Sequence, residues 1–306
     1  MLQDTLWQRP RAALAEALAP AAALAGALAP RQPAGGRLVA CRPTYLPPLA
    51  WIAMQAAALW PHGLWIARRA QDGSDDPLGL VALAVFGALL LHGAMRLRVA
   101  PHTGWLALAA ALTVAAQLLR FVLPPLAAAV LAASALAAGV AAWTPTGRPR
   151  AALAGLLLLA LPLVASLQYY AGYPLRVLTA QASAWALQAN GIDAARSGAS
   201  MLVQGRLVIV DAPCSGVQMA WMAYFCACTT AAVFSLRDAR FLRRLPLVGL
   251  LVLAGNVLRN SVLVALEARP QGLAPVLHEG IGVAVLALVC AGVVALVHGG
   301  RDARLV

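Results

Sequence analysis

Three residues, far apart in the chain, have the chemistry of acyl transfer. Cys214 lies in Asp211-Ala212-Pro213-Cys214-Ser215-Gly216, where a short strand-like stretch gives way to a long apolar run. The spacing predicts a helix starting just after the cysteine, so its thiol sits near the positive end of a helix dipole. That field favours the thiolate, which is the nucleophilic form. Pro213 suits a helix entry, Ser215 supplies a hydroxyl, and Gly216 allows close backbone approach. Alone, the run also fits a small residue filling space at a helix start. Arg259 lies in Gly255-Asn256-Val257-Leu258-Arg259-Asn260, inside another apolar run. A mid-bilayer arginine costs about 2.5–3.5 kcal/mol on insertion scales, so it needs a polar cavity or a partner. Asn256 and Arg259 share a helix face, and with Asn260 they make a polar stripe. A purely structural hydrogen-bonding stripe is the competing reading. His278 heads the last apolar run in Leu277-His278-Glu279-Gly280. It is either a proton carrier or a solvated interfacial histidine, and Glu279 either orients it or serves as a helix-start acid.

The elements that must hold these residues are membrane helices. The chain of 306 residues is 62% hydrophobic and 11% charged, with a mean hydropathy of +0.78. That exceeds what a soluble domain carries. The apolar residues come in long blocks rather than the short alternating strands of a barrel. The fold class is therefore an all-α, polytopic transmembrane bundle. Apolar blocks mark about eight spans, near 48–67, 78–95, 104–121, 124–143, 151–169, 215–236, 246–267 and 280–298. Between the fifth and sixth, residues 175–190 read as a separate helix of mixed polarity, ended by Gly191. Met201-Leu202-Val203 and Leu207-Val208-Ile209-Val210 then read as a small hairpin around Gln204-Gly205, leading into the cysteine.

Charge sets the orientation. The formal net charge is +12, and every basic residue is arginine. The arginines lie mostly between apolar blocks, which is a topology signal rather than a nucleic-acid groove. Anionic headgroups and the bilayer are the expected partners of this charge. With both termini cytoplasmic, the inner segments hold about twice as many arginines as the outer ones. The cluster Arg237, Arg240, Arg243 and Arg244 is the strongest inner anchor. It makes the helix after Cys214 run from outside to inside, and so places Cys214, Arg259 and His278 on the extracytoplasmic side of the cytoplasmic (inner) membrane.

Other features read as structural. Residues 12–29 are Ala/Leu-rich but interrupted by Glu16 and Pro20, which reads as an interfacial segment rather than a further span. No cleavable signal is evident, so the first span would serve for targeting. Cys226, Cys228 and Cys290 read as core packing and Cys41 as cytoplasmic. Asp72, Asp75 and Asp76 read as a solvated outer loop, with a weak cation site as the lesser reading. The cysteine spacings give no disulfide framework or zinc site, and no cofactor is expected. Of the remaining histidines, His62 lies toward the outer end of the first span and stays a rival to His278.

Pro213-Cys214-Ser215-Gly216 at a helix start, Asn256-Val257-Leu258-Arg259, and His278 heading the final helix resemble, in that order, the exosortase/archaeosortase family of membrane cysteine transpeptidases. The resemblance is clearest over 160–295, where Pro174-Leu175 and the hairpin also fit, and Pro77-Leu78-Gly79-Leu80 adds to it. It implies a transmembrane domain over 46–300; the Ala/Pro/Arg-rich segment over 1–45, cytoplasmic or interfacial, falls outside it, and 301–306 reads as a cytoplasmic tail. It also implies a sorting peptidase acting on membrane-tethered proteins that carry a C-terminal sorting signal. Carried over by residue, Cys214 is the nucleophile, His278 the acid/base and Arg259 the stabiliser of developing charge, with Ser215, Gly216 and Asn256 in support. Two rival readings remain. One is another membrane thiol enzyme, transferring a small acyl group through Cys214. The other is a transporter with Asn256, Arg259 and Asn260 lining a path, although no internal repeat supports it.

Overall fold

The computed structural model describes residues 47–71, 77–93, 96–209, 215–268 and 273–299. Cys214 with Asp211 to Pro213, Cys41, the three loop aspartates, the 1–45 segment and the 301–306 tail lie outside the described residues. The described chain forms ten helices and one three-stranded sheet. In chain order the helices are α1 (Pro48–Ala58), α2 (Trp60–Gln71), α3 (Leu78–His92), α4 (Thr103–Leu119), α5 (Pro125–Trp143), α6 (Arg150–Leu159) and α7 (Val164–Ala189). Then come β1 (Ala194–Ser197), β2 (Ser200–Val203), β3 (Arg206–Ile209), α8 (Val217–Val233), α9 (Asp238–Glu267) and α10 (Pro275–His298).

Each expected apolar block is helical, but the helices differ in reach. Among the described residues α5, α9 and α10 are each long and apolar enough to cross a bilayer, and α6 with α7 passes as one bent pair. α10 is the most apolar, with a mean hydropathy of 2.8, yet little of it is buried in the protein. Its outward residues Val283 and Leu288 are both more than half exposed. An apolar surface of that kind is suited to lipid rather than water.

The helices meet through small residues. A Cβ at Gly255 of α9 would collide with Val289 of α10, and one at Gly292 would stand 2.9 Å from Leu251. Lipid offers little hydrophobic drive between helices, so close backbone approach and van der Waals packing hold them together. The main core joins Leu156 and Leu157 of α6, Met219 and Ala223 of α8, Val248 and Val252 of α9, and Val289 and Val293 of α10.

Two differences from the sequence expectation bear on the site. First, the fifth apolar block does not run straight. α6 and α7 meet at an angle of 89°, with the break around Pro162, which cannot donate a backbone hydrogen bond. The Leu159 carbonyl at the break accepts a hydrogen bond from Trp221 Nε1 of α8 at 3.1 Å. At the other end of α6, Asp238 of α9 accepts the Ala151 N–H at 2.9 Å, satisfying a helix-start donor from a different element. Second, the helix expected over 175–190 is not separate: α7 continues through Pro174. Proline costs the helix one hydrogen bond, and burial of Thr179, Ala180, Ser183 and Ala184 beyond it compensates.

The hairpin forms as expected. β2 and β3 pair antiparallel with Val203 opposite Arg206. Gln204 and Gly205 both take positive φ, 50° and 76°, the geometry of a two-residue turn matched to strand twist. A third strand, β1, adds to the other edge of β2. Met201 and Val203 are fully buried, packing on Ala180, Ala184 and Leu187 of α7 and on Val264 and Ala268 at the end of α9. The sheet is thus fastened to two helices just before the chain reaches Asp211.

Candidate active site

The segment after Cys214 is held by specific contacts. Ser215 is buried, and its hydroxyl donates to Gln168 Oε1 of α7 at 2.7 Å. Gly216 is the N-cap of α8 with φ +82°, the left-handed region that glycine favours. Space forces the same choice, because a Cβ there would stand 2.9 Å from the Cγ and Nδ2 atoms of Asn256. So the start of α8 lies directly against α9, one turn from Arg259.

Gly216→Ala is accordingly expected to destabilise the protein. The left-handed backbone costs an L-residue about 1–2 kcal/mol, and the Asn256 contact adds to it. The thermal midpoint in detergent should fall by several degrees. Adding Asn256→Ala should recover only the steric part; full recovery in the double variant would show that backbone strain contributes nothing.

Asn256 and Asn260 face α7. Asn256 Nδ2 donates to Thr179 Oγ1 at 3.0 Å, and Asn260 Nδ2 donates to Ser183 Oγ at 2.9 Å. All four side chains are buried. Both pairs advance by four residues along both helices, so α7 and α9 run parallel here. The polar stripe expected on α9 is therefore divided. Its two amides are engaged with α7 hydroxyls, which leaves the transporter reading without the path that had suggested it.

Arg259 turns the other way, toward α10. A Cβ at Gly282 would stand 3.3 Å from its Nε and 3.4 Å from its Nη2, so the missing side chain gives the guanidinium its seat. There it lines a cleft of about 550 Å³ with Gln218, Met219 and Met222 of α8, Glu279, Gly282, Val283 and Leu286 of α10, and Pro77 and Leu78. His278 lies in the first turn of α10 and is half-buried. It stands four residues before Gly282, on the same helix face and about 6 Å along the axis. Its neighbour Glu279 lines the cleft itself.

The structure thus brings the start of α8, Asn256, Arg259 and the first turn of α10 into one region. His62 lies elsewhere, buried on α2 beside Ala116 of α4. A larger groove of about 780 Å³ lies between α7 and α9, but Leu250, Leu253, Val257 and Leu258 line it and no titratable side chain does. Volume alone would select that groove; the chemistry selects the cleft. Among the described residues no group of three His, Cys, Asp or Glu side chains could hold a metal ion.

Gln168, Thr179, Ser183 and Gln218 were not singled out by the sequence. Thr179 and Ser183 carry a usable signal, the same four-residue spacing as Asn256 and Asn260. Gln168 carries none, because its partner is fixed only by the fold.

No curated protein and no solved structure matches this chain significantly. A family model for transmembrane exosortases matches residues 65–295. That stretch spans α3 to α9, the sheet and nearly all of α10, and with them every residue seated around the cleft. Over most of its length, then, the chain belongs to the transmembrane exosortase family, multi-pass membrane enzymes of the peptidase/transpeptidase type with a role in protein sorting.

Proposed function

We propose that the protein cleaves the C-terminal sorting signals of exported, membrane-tethered proteins through a thioester on Cys214. The observation that carries this reading is the seating of Arg259 in a cleft bounded by the start of α8 and the first turns of α10. A guanidinium held there is a preorganised cation that can act on developing negative charge.

In this mechanism the Cys214 thiolate attacks the scissile carbonyl carbon, and the carbonyl oxygen takes the negative charge. Arg259 meets that oxyanion. The C–N bond then breaks, and the leaving amine takes a proton from His278. The thioester is resolved when an amine or water attacks it. His278 accepts the nucleophile's proton, the C–S bond breaks and the thiolate returns. Ser215 and Gly216 fix the start of α8, and Asn256 fixes Gly216 against α9. The substrate's own membrane helix holds its scissile bond at constant depth, which raises effective concentration.

The proposal includes the topology. About eight apolar blocks cross or enter the inner membrane, both termini are cytoplasmic, and the cleft opens on the outer side. Residues 46–300 form the catalytic unit, with the preceding segment at the cytoplasmic interface.

Trapping the intermediate separates this reading from transfer of a small acyl group. The protein is incubated in membranes with a tethered reporter ending in a short motif, an apolar helix and an arginine-rich tail. The expected product is an adduct on Cys214 with the mass of the reporter's N-terminal fragment. An adduct with the mass of a fatty acyl chain would favour the acyl-transfer reading, and an adduct on a different residue would remove Cys214 as nucleophile.

A further inference from the structure

We infer that Thr179 and Ser183 of α7 are positioning residues that aim Arg259 into the cleft. The inference rests on the reading of Arg259 as the group that meets the oxyanion.

The geometry begins with α9. At 100° per residue, the side chains of Asn256 and Asn260 leave the helix about 40° apart. Arg259 leaves it about 80° from their mean direction. Fixing the two amides against α7 therefore fixes where Arg259 points, and the result is its place over Gly282. The close contacts at Gly255 and Gly292 set how near α9 comes to α10. The two hydrogen bonds add a specific polar constraint on the face that α9 turns to α7. They also supply register, because a shift of one turn would leave one amide without its hydroxyl.

A second contact points the same way. The Asn256 side chain is bounded by Thr179 on one side and by Gly216 on the other. Thr179 therefore sets the position of the one amide that touches the start of α8. Its hydroxyl links the residues next to the nucleophile with the helix that carries the cation. Ser183 holds the second amide and also approaches the Val257 carbonyl at 3.4 Å.

Thr179→Val keeps the shape and removes the hydroxyl; Ser183→Ala is a milder second variant. Both are compared with Thr179→Ser and Arg259→Lys in steady-state cleavage of the tethered reporter, with the melting temperature in detergent as a control for folding. Thr179→Val is expected to lower kcat on the order of 10-fold with KM nearly unchanged, because the interaction it disturbs operates in the transition state. Thr179→Ser should restore kcat. Ser183→Ala should lower kcat in the same pattern but by less.

If Arg259→Lys loses activity while Thr179→Val and Ser183→Ala keep the parent kcat, the positioning inference is wrong and the Arg259 assignment stands. If Arg259→Lys is fully active, the Arg259 assignment falls and takes the inference with it. If Thr179→Val does not fold, Ser183→Ala decides; a normal kcat in that folded variant overturns the inference. A rise in KM with kcat unchanged would also overturn it, as it would mark these hydroxyls as part of substrate binding.

Discussion

Cys214→Ala is expected to leave the protein inserted and folded while ending cleavage of the tethered substrate. The fall should be about 10⁶-fold, the scale seen when a covalent enzyme loses its nucleophile. Cys214→Ser should fail nearly as completely. A serine hydroxyl ionises far above neutral pH, and the helix-start field that favours a thiolate is too weak to close that gap. The two residues after Cys214 strengthen the case. The hydroxyl of Ser215 is bonded to Gln168, and Gly216 is seated on Asn256. Cleavage is read by the loss of the reporter's C-terminal helix on a gel, and folding by the melting temperature in detergent. Parent-like cleavage by Cys214→Ala would sink the thioester mechanism outright.

The second large effect concerns Arg259. Arg259→Gln should lower kcat about 10²–10³-fold, the usual loss on removing an oxyanion donor. Arg259→Lys should recover little of it. The guanidinium lies against Gly282 with two nitrogens, Nε and Nη2, close to the α10 backbone. A lysine ammonium is a compact point charge, cannot fill that flat seat, and readily loses its proton when buried. KM should change less than kcat if the cation acts on charge that exists only in the transition state. A selective rise in KM would instead make Arg259 a substrate-binding residue.

The sequence and the fold are legible to different depths. Arg259 could be found because charge inside an apolar run is costly and therefore needs a reason. Gly216 could be suspected but not explained. Its left-handed backbone and its contact with Asn256 arise from the packing of α8 on α9. The stripe of Asn256, Arg259 and Asn260 looked like one feature. It divides because Asn256 and Asn260, four apart, both meet α7, whereas Arg259 leaves the helix about 80° away and meets α10. Thr179 and Ser183 share the four-residue spacing of the two asparagines, but that spacing gains meaning only once α7 and α9 are paired, because single hydroxyls are common in membrane helices. β1 was hidden for another reason. Ala194-Ala195-Arg196-Ser197 has little strand preference, and it pairs because β2 offers an edge held on α7 and α9. Residues 175–190 read as a helix of their own, yet α7 runs through Pro174, and the bend comes earlier, around Pro162. Tertiary packing decided between the two prolines.

α9 carries the site and the sheet on one rod. Arg259 is eight residues, or about 12 Å, from the end of the helix, and Met201 of β2 reaches down to its neighbour Asn260. In the proposed mechanism the sheet therefore borders the reacting groups. A membrane-tethered acceptor would be delivered there at high local concentration. An acyl group held on Cys214 would then pass to that acceptor ahead of free water. In this mechanism the balance between transfer and hydrolysis would be set by tethering, before any choice of acceptor is made.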